Sequence, residues 1–153
     1  MRRQAAALVL LISSLSGAGP NVPAPVESMY GSAEVATART SIYIGAVTLK
    51  SSAFIRQGAR YTATYQAKVF PFFFYNESGE IWIELPDDDL RRLAEGERVE
   101  FSGEAHDQSG ELRRVTGHAE PVNPESGEIK VRVWVSKKIQ LIFNTTYRFT
   151  GSD

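Results

Sequence analysis

The same four-residue pattern recurs three times along the chain: Glu77-Ser78-Gly79-Glu80, Gln108-Ser109-Gly110-Glu111 and Glu125-Ser126-Gly127-Glu128. Each is followed at once by Ile or Leu and then by a β-type stretch. Glycine accepts positive φ, so each phrase predicts a tight hairpin turn. Turns set register, and register sets which side chains share a face of a sheet. No other feature of the sequence constrains the architecture as much.

The second phrase, read as a three-residue loop, sets Asp107 against Glu111. The inward pairs are then Val99 with Ala119, Phe101 with Gly117, and Gly103 with Val115, so large side chains meet small ones. The outward pairs are Arg98 with Glu120, Glu100 with His118, Ser102 with Thr116, and Glu104 with Arg114, so opposite charges or hydroxyls meet at each rung. A slip of one residue mixes the faces. The third phrase, with Pro124 against Glu128, predicts Val131, Val133 and Val135 opposite Pro121, Ala119 and Gly117, and His118 between Glu100 and Trp134. The first phrase predicts Phe73 against Ile83 and Tyr75 against Ile81, which brings Phe74 against Trp82 on the other face.

Elsewhere the period is also two. A first strand falls near Ile42–Leu49, bulged at Gly45, and a long second strand runs from Tyr61 to Tyr75. The last strand alternates apolar residues from Ile139 to Phe149 after a turn at Ser136-Lys137-Lys138. One interruption, Pro86-Asp87-Asp88-Asp89, predicts a short helix with Leu90, Leu93 and Ala94 on one face and a stop at Gly96. Acidic residues in its first turn suit the positive end of the helix dipole. The fold class expected is all-β, mostly antiparallel, with one short helix: a small barrel or a two-layer sandwich of about seven strands. The order of three strands, a helix and further strands resembles that of an oligonucleotide/oligosaccharide-binding barrel in element order alone, and the C-terminal strands exceed that plan.

The N-terminus predicts export. Arg2 and Arg3 precede a short apolar run, Ala5–Leu15, and Ser16 and Ala18 fit the small-residue positions before a cleavage point. The domain organisation expected is a signal peptide over 1–18, a flexible Pro/Ala-rich linker over 19–40 and an antiparallel β domain over 41–150. The apolar run is short for a bilayer span. Removing residues 1–18 takes two of the 17 basic groups and leaves 15 against 18 acidic ones, net −3. That balance gives no footprint for nucleic acid. The chain contains no cysteine, which rules out disulfides, thiolate metal sites and cysteine nucleophiles.

Binding residues are expected at the aromatic hairpin. Phe72, Phe74 and Trp82 would form a platform if that face is open, able to stack on a carbohydrate, meet a protein partner or dip into a membrane interface. Coverage of both faces is the competing expectation, since continuous apolar runs suit two-sided burial. Trp134 and His118 are further surface candidates. His118 with Glu100 and Ser102 formally resembles an acid–base–nucleophile set, but a flat strand face supplies no oxyanion hole and excludes little water. His106 and His118 stand about 20 Å apart at roughly 3.3 Å per residue, too far to share a metal. Asp87-Asp88-Asp89 lacks the spaced ligands of a calcium loop. No Walker loop, GxGxxG, GxSxG or HExxH occurs. The function expected is therefore an exported, non-catalytic domain with a binding or structural role in the cell envelope or outside it, with no cofactor and no metal. A membrane-surface protein using the aromatic patch is the alternative, and a hydrolase centred on His118 a remoter one.

Overall fold

Alternating inward and outward side chains build ten strands: β1 (Ser32–Val35), β2 (Ala38–Ile42), β3 (Gly45–Ser51), β4 (Phe54–Gln57), β5 (Arg60–Phe70), β6 (Glu77–Glu84), β7 (Val99–Asp107), β8 (Leu112–Asn123), β9 (Ser126–Trp134) and β10 (Gln140–Phe149). A helix, α1 (Asp87–Ala94), separates β6 from β7, and a 3-10 turn (Phe73–Tyr75) separates β5 from β6. These assignments come from a computed structural model that describes residues 29–151. The expected signal peptide and the linker up to residue 28 lie outside the described residues.

All the strand pairs are antiparallel, and eight strands close a barrel in the order β1–β10–β9–β8–β7–β6–β5–β4, with β4 returning to β1. The fold is thus the barrel rather than the sandwich. The remaining two strands lengthen the wall at one end: β3 pairs with Tyr65–Phe70 of β5, and β2 pairs with β3. No ladder joins β2 to β10 among the described residues. Ala36 N–H donates to the Thr146 carbonyl at 3.0 Å, and above that point the seam is closed by packing of Ala38, Val47 and Phe143 with Ile42 and Leu141.

Four of the ten strands lie between residues 32 and 57, which explains why about seven were expected. The linker expected up to residue 40 already contains β1 and the start of β2. The single bulged strand expected at Ile42–Leu49 is instead a hairpin, with Ile42 opposite Gly45 across Tyr43-Ile44.

Of the three recurring phrases, one makes the turn expected of it. Gly110 has φ +84°, and Val99↔Ala119, Phe101↔Gly117 and Gly103↔Val115 pair as the sequence predicts. Gly79 and Gly127 lie inside strands without positive φ. There the missing side chain serves close approach of the neighbouring strand: a Cβ would come within 1.8 Å of the His106 carbonyl oxygen at Gly79 and 2.2 Å of the Glu120 carbonyl oxygen at Gly127. The turns belong to the Asn or Asp that precedes each phrase. Asp107 accepts from the Ser109 and Glu111 amides at 2.8 and 2.9 Å, and Asn123 accepts from the Glu125 and Ser126 amides, both at 2.9 Å. Asn76 Oδ1 accepts from Val69 N–H at 2.8 Å and closes the loop before the first phrase.

These shifts correct two predicted registers. β9 meets β8 four residues away from the expected pairing, with Gly117↔Val131 and His118↔Lys130, so His118 does not stand beside Trp134. An even slip preserves the faces, and Ile129, Val131 and Val133 still point inward. The second correction is larger. Trp82 pairs with Thr62 of β5 and Glu104 of β7, not with Phe74.

The helix closes one end of the barrel. Leu90 and Leu93 are fully buried in the core with Tyr61, Val99 and Phe149, while Ala94, expected on that face, is exposed. Arg56 of β4 forms an ion pair with Asp87 in the first turn of the helix. Tyr30 seals the same end: its carbonyl accepts from Tyr61 Oη at 2.5 Å, and its ring meets Phe149 edge-on at 4.6 Å.

Candidate functional site

The end opposite the helix is open. The β2–β3 turn, the 3-10 loop, the β7–β8 turn and the β9–β10 turn converge there around a cavity of about 640 Å³. Its walls come from the inward positions of the extended strands, including Val47, Val69, Val133 and Leu141. Leu49, Tyr65, Ile81 and Phe143 line both this cavity and a void of about 50 Å³ deeper in the barrel, and so form its floor. An eight-stranded barrel has an interior just wide enough to be filled by side chains or to hold one small ligand. Here large residues fill the helix end, and at the open end β5 presents the smaller Ala67 and Val69 beyond Tyr65.

One polar cluster interrupts the apolar wall. Tyr65 Oη donates to Glu77 Oε1 at 2.5 Å, and Arg113 Nη2 donates to Glu77 Oε2 at 3.1 Å. Arg113 Nη1 also donates to the Val135 carbonyl at 2.8 Å, while its Nε is buried without a partner. Burial, and then the hydrogen bond to Glu77, push the Tyr65 hydroxyl well above its ordinary pKa, so it remains a neutral donor. The arrangement offers a mostly apolar chamber with a hydrogen-bonding cluster on one wall, the usual composition of a small-molecule site.

The rim is aromatic. Phe72 and Tyr75 line the cavity, and Phe74 stands 78% exposed beside them. The rings touch one another, Phe72 edge-on to Phe74 at 6.0 Å and Phe74 tilted against Tyr75 at 4.5 Å. Phe72 and Phe74 therefore sit at the mouth. Trp82 does not join them: it lies on the outer wall under the Arg60 guanidinium, 4.0 Å from the ring centroid. The three-residue platform expected from sequence is not assembled. Trp134 is likewise on the outer wall, with Arg114 at 4.7 Å.

His118 is also outside the barrel, opposite Glu100 on β7 as expected. Its Nδ1 lies 3.1 Å from Arg98 Nη2, and Glu120 is 3.9 Å from its Nε2. Burial, and then the Arg98 charge, hold its pKa below the ordinary histidine value. The ring thus engages a guanidinium rather than the carboxylate a general base would need behind it. Sequence reasoning missed Tyr65, Glu77 and Arg113. The available signal was polar residues at inward positions of β5, β6 and β8, hidden because the first phrase was given to a turn. Against protein families, curated proteins and solved structures, the chain gives no match.

Proposed function

We propose that this chain is a non-catalytic binding domain that takes one small, largely apolar molecule into the open end of its barrel. The cavity carries this reading: about 640 Å³, apolar except for the Tyr65–Glu77–Arg113 cluster, within the 300–1,000 Å³ typical of ligand sites. The apolar part of the ligand would occupy the space between Val69, Val133 and Leu141. A neutral polar end would meet the cluster, whose charges are already paired. Export, as expected from residues 1–18, would place this domain in the cell envelope or outside it.

The test is titration with the neutral dye phenylnaphthylamine, whose fluorescence rises in apolar surroundings. Saturable one-to-one binding is expected, abolished by Ala67→Phe and by Leu141→Trp, which fill the chamber from opposite walls. Both variants should keep the cooperative melt of the parent. Absence of saturable binding, or equal binding by folded Ala67→Phe and Leu141→Trp, refutes the proposal.

A further inference from the structure

Apolar residues crowd the loop tips around the mouth. Tyr43 at the β2–β3 turn is fully exposed, at 104%, and Ile44 beside it is 64% exposed. Phe73 and Phe74 on the 3-10 loop are 61% and 78% exposed, and Ile139 after the β9–β10 turn is 56% exposed. Singly exposed apolar side chains are ordinary, but a set gathered on three loops at one end of a barrel marks a contact surface. Charge follows the same geometry. The β9–β10 turn adds Lys137 and Lys138, both exposed, and the Tyr43-Ile44 and Pro71–Asn76 tips carry no charge. The carboxylates nearest the mouth are engaged: Asp107 by the amides of its own turn, Glu77 by Arg113, and Glu111, exposed on the β7–β8 turn, also by Arg113.

We infer that the open end docks on an anionic membrane surface, with Tyr43, Ile44, Phe73 and Phe74 inserted among the headgroups and Lys137 and Lys138 held against them. The inference deepens the mouth-binding reading and rests on it for one part only, the exchange of ligand. A molecule suited to the apolar chamber partitions into bilayers, and docking by the mouth sets chamber and bilayer in contact without passage through water. Aromatic side chains favour the interfacial depth, where an apolar ring and a polar tip are both accommodated. Separate prongs on three loops suit a deformable surface. A second copy set mouth to mouth would offer the lysine turn no carboxylate on the Tyr43-Ile44 or Pro71–Asn76 tips, only Glu111 of the β7–β8 turn, which Arg113 already engages.

The experiment is co-sedimentation of the mature domain with vesicles of phosphatidylcholine alone and with added phosphatidylglycerol. Binding is expected to the mixed vesicles and to weaken with salt. Changing Lys137 and Lys138 together to Gln should lower affinity for the anionic vesicles by roughly thirtyfold, at the energy typical of two juxtamembrane lysines. Tyr43→Ser with Ile44→Ser, and separately Phe73→Ser with Phe74→Ser, should each lower it by roughly tenfold or more, the value of withdrawing such side chains from an apolar phase. These positions are exposed, so the melt should stay unchanged. Ala67→Phe should bind vesicles like the parent, which separates this inference from the ligand reading: loss of dye binding with vesicle binding intact tests only the chamber. No sedimentation with anionic vesicles, equal sedimentation by the serine variants, or a concentration-dependent dimer that the serine variants abolish would overturn the docking inference.

Discussion

Replacing Glu77 by Ala tests whether the polar cluster holds the mouth together. Glu77 accepts one hydrogen bond from Tyr65 and one from Arg113, whose side chains with Glu77 and Arg113 at 19% and 15% exposure are mostly withdrawn from water. Hydrogen bonds to a charged group contribute about 1.5–3 kcal/mol each. Removing the acceptor leaves a guanidinium and a hydroxyl without their main partner, though the remaining exposure lets water recover part of the loss. Arg113 also keeps Val135 and Glu111. The expected destabilisation is about 2–3 kcal/mol, which for a domain of this size lowers Tm by roughly 8–15 °C. Urea unfolding followed through Trp82 and Trp134, both in the barrel wall, reads it directly. Glu77→Gln keeps an acceptor for Tyr65 and should lose about half as much. The double change Glu77→Ala with Arg113→Met removes the stranded charge and should recover about 1 kcal/mol or more of the single-variant loss. A Glu77→Ala protein within about 0.5 kcal/mol of the parent, or a double variant less stable than the single one, would refute the reasoning.

Two further outcomes follow from the fold. Leu90→Ala opens a cavity beneath the helix where the side chain is fully buried, and should destabilise by about 2–5 kcal/mol in the same urea assay; a loss under about 1 kcal/mol would mean that the helix is not a plug. His118 should titrate below the ordinary value near 6.5, and Arg98→Ala should raise it. Because its pKa is lower folded than unfolded, its contribution to stability is complete above about pH 6.5 and is lost as pH falls through the folded value. Proton-detected titration of the ring checks this, and a value at or above 6.5 in the parent would contradict it.

The barrel was legible in the sequence where local chemistry and long-range pairing agree. The β7–β8 hairpin is such a place: Asp107 binds its own turn amides, and Gly110 takes the positive φ beside it. The other two phrases misled because glycine has two uses in a sheet. It turns a chain, and it lets a neighbouring strand come close, and because an Asn or Asp precedes all three phrases the local sequence does not tell the two uses apart. The residues between 32 and 57 were illegible for a different reason. Their strands are four to seven residues long, and β1 and β4 gain their partners from β10 and β5, so their pattern is too short to show a period. The chamber was invisible as well. Whether inward apolar positions fill a barrel or leave it hollow depends on side-chain volumes summed around a closed ring, which no window of sequence contains.

The seam between β2 and β10 bears on how large a guest the chamber admits. The β2–β3 hairpin is tied to β5 by backbone hydrogen bonds along one margin and meets β10 on the other only through side chains. Swinging it outward would break packing but no ladder, so this corner of the wall is where the barrel is expected to open first. Its amides should exchange with solvent well before those of β7, β8 and β9. On the proposed binding reading, the 640 Å³ of the shut chamber would be a lower bound, since a longer molecule would have room for its tail through the side of the barrel rather than out of its mouth.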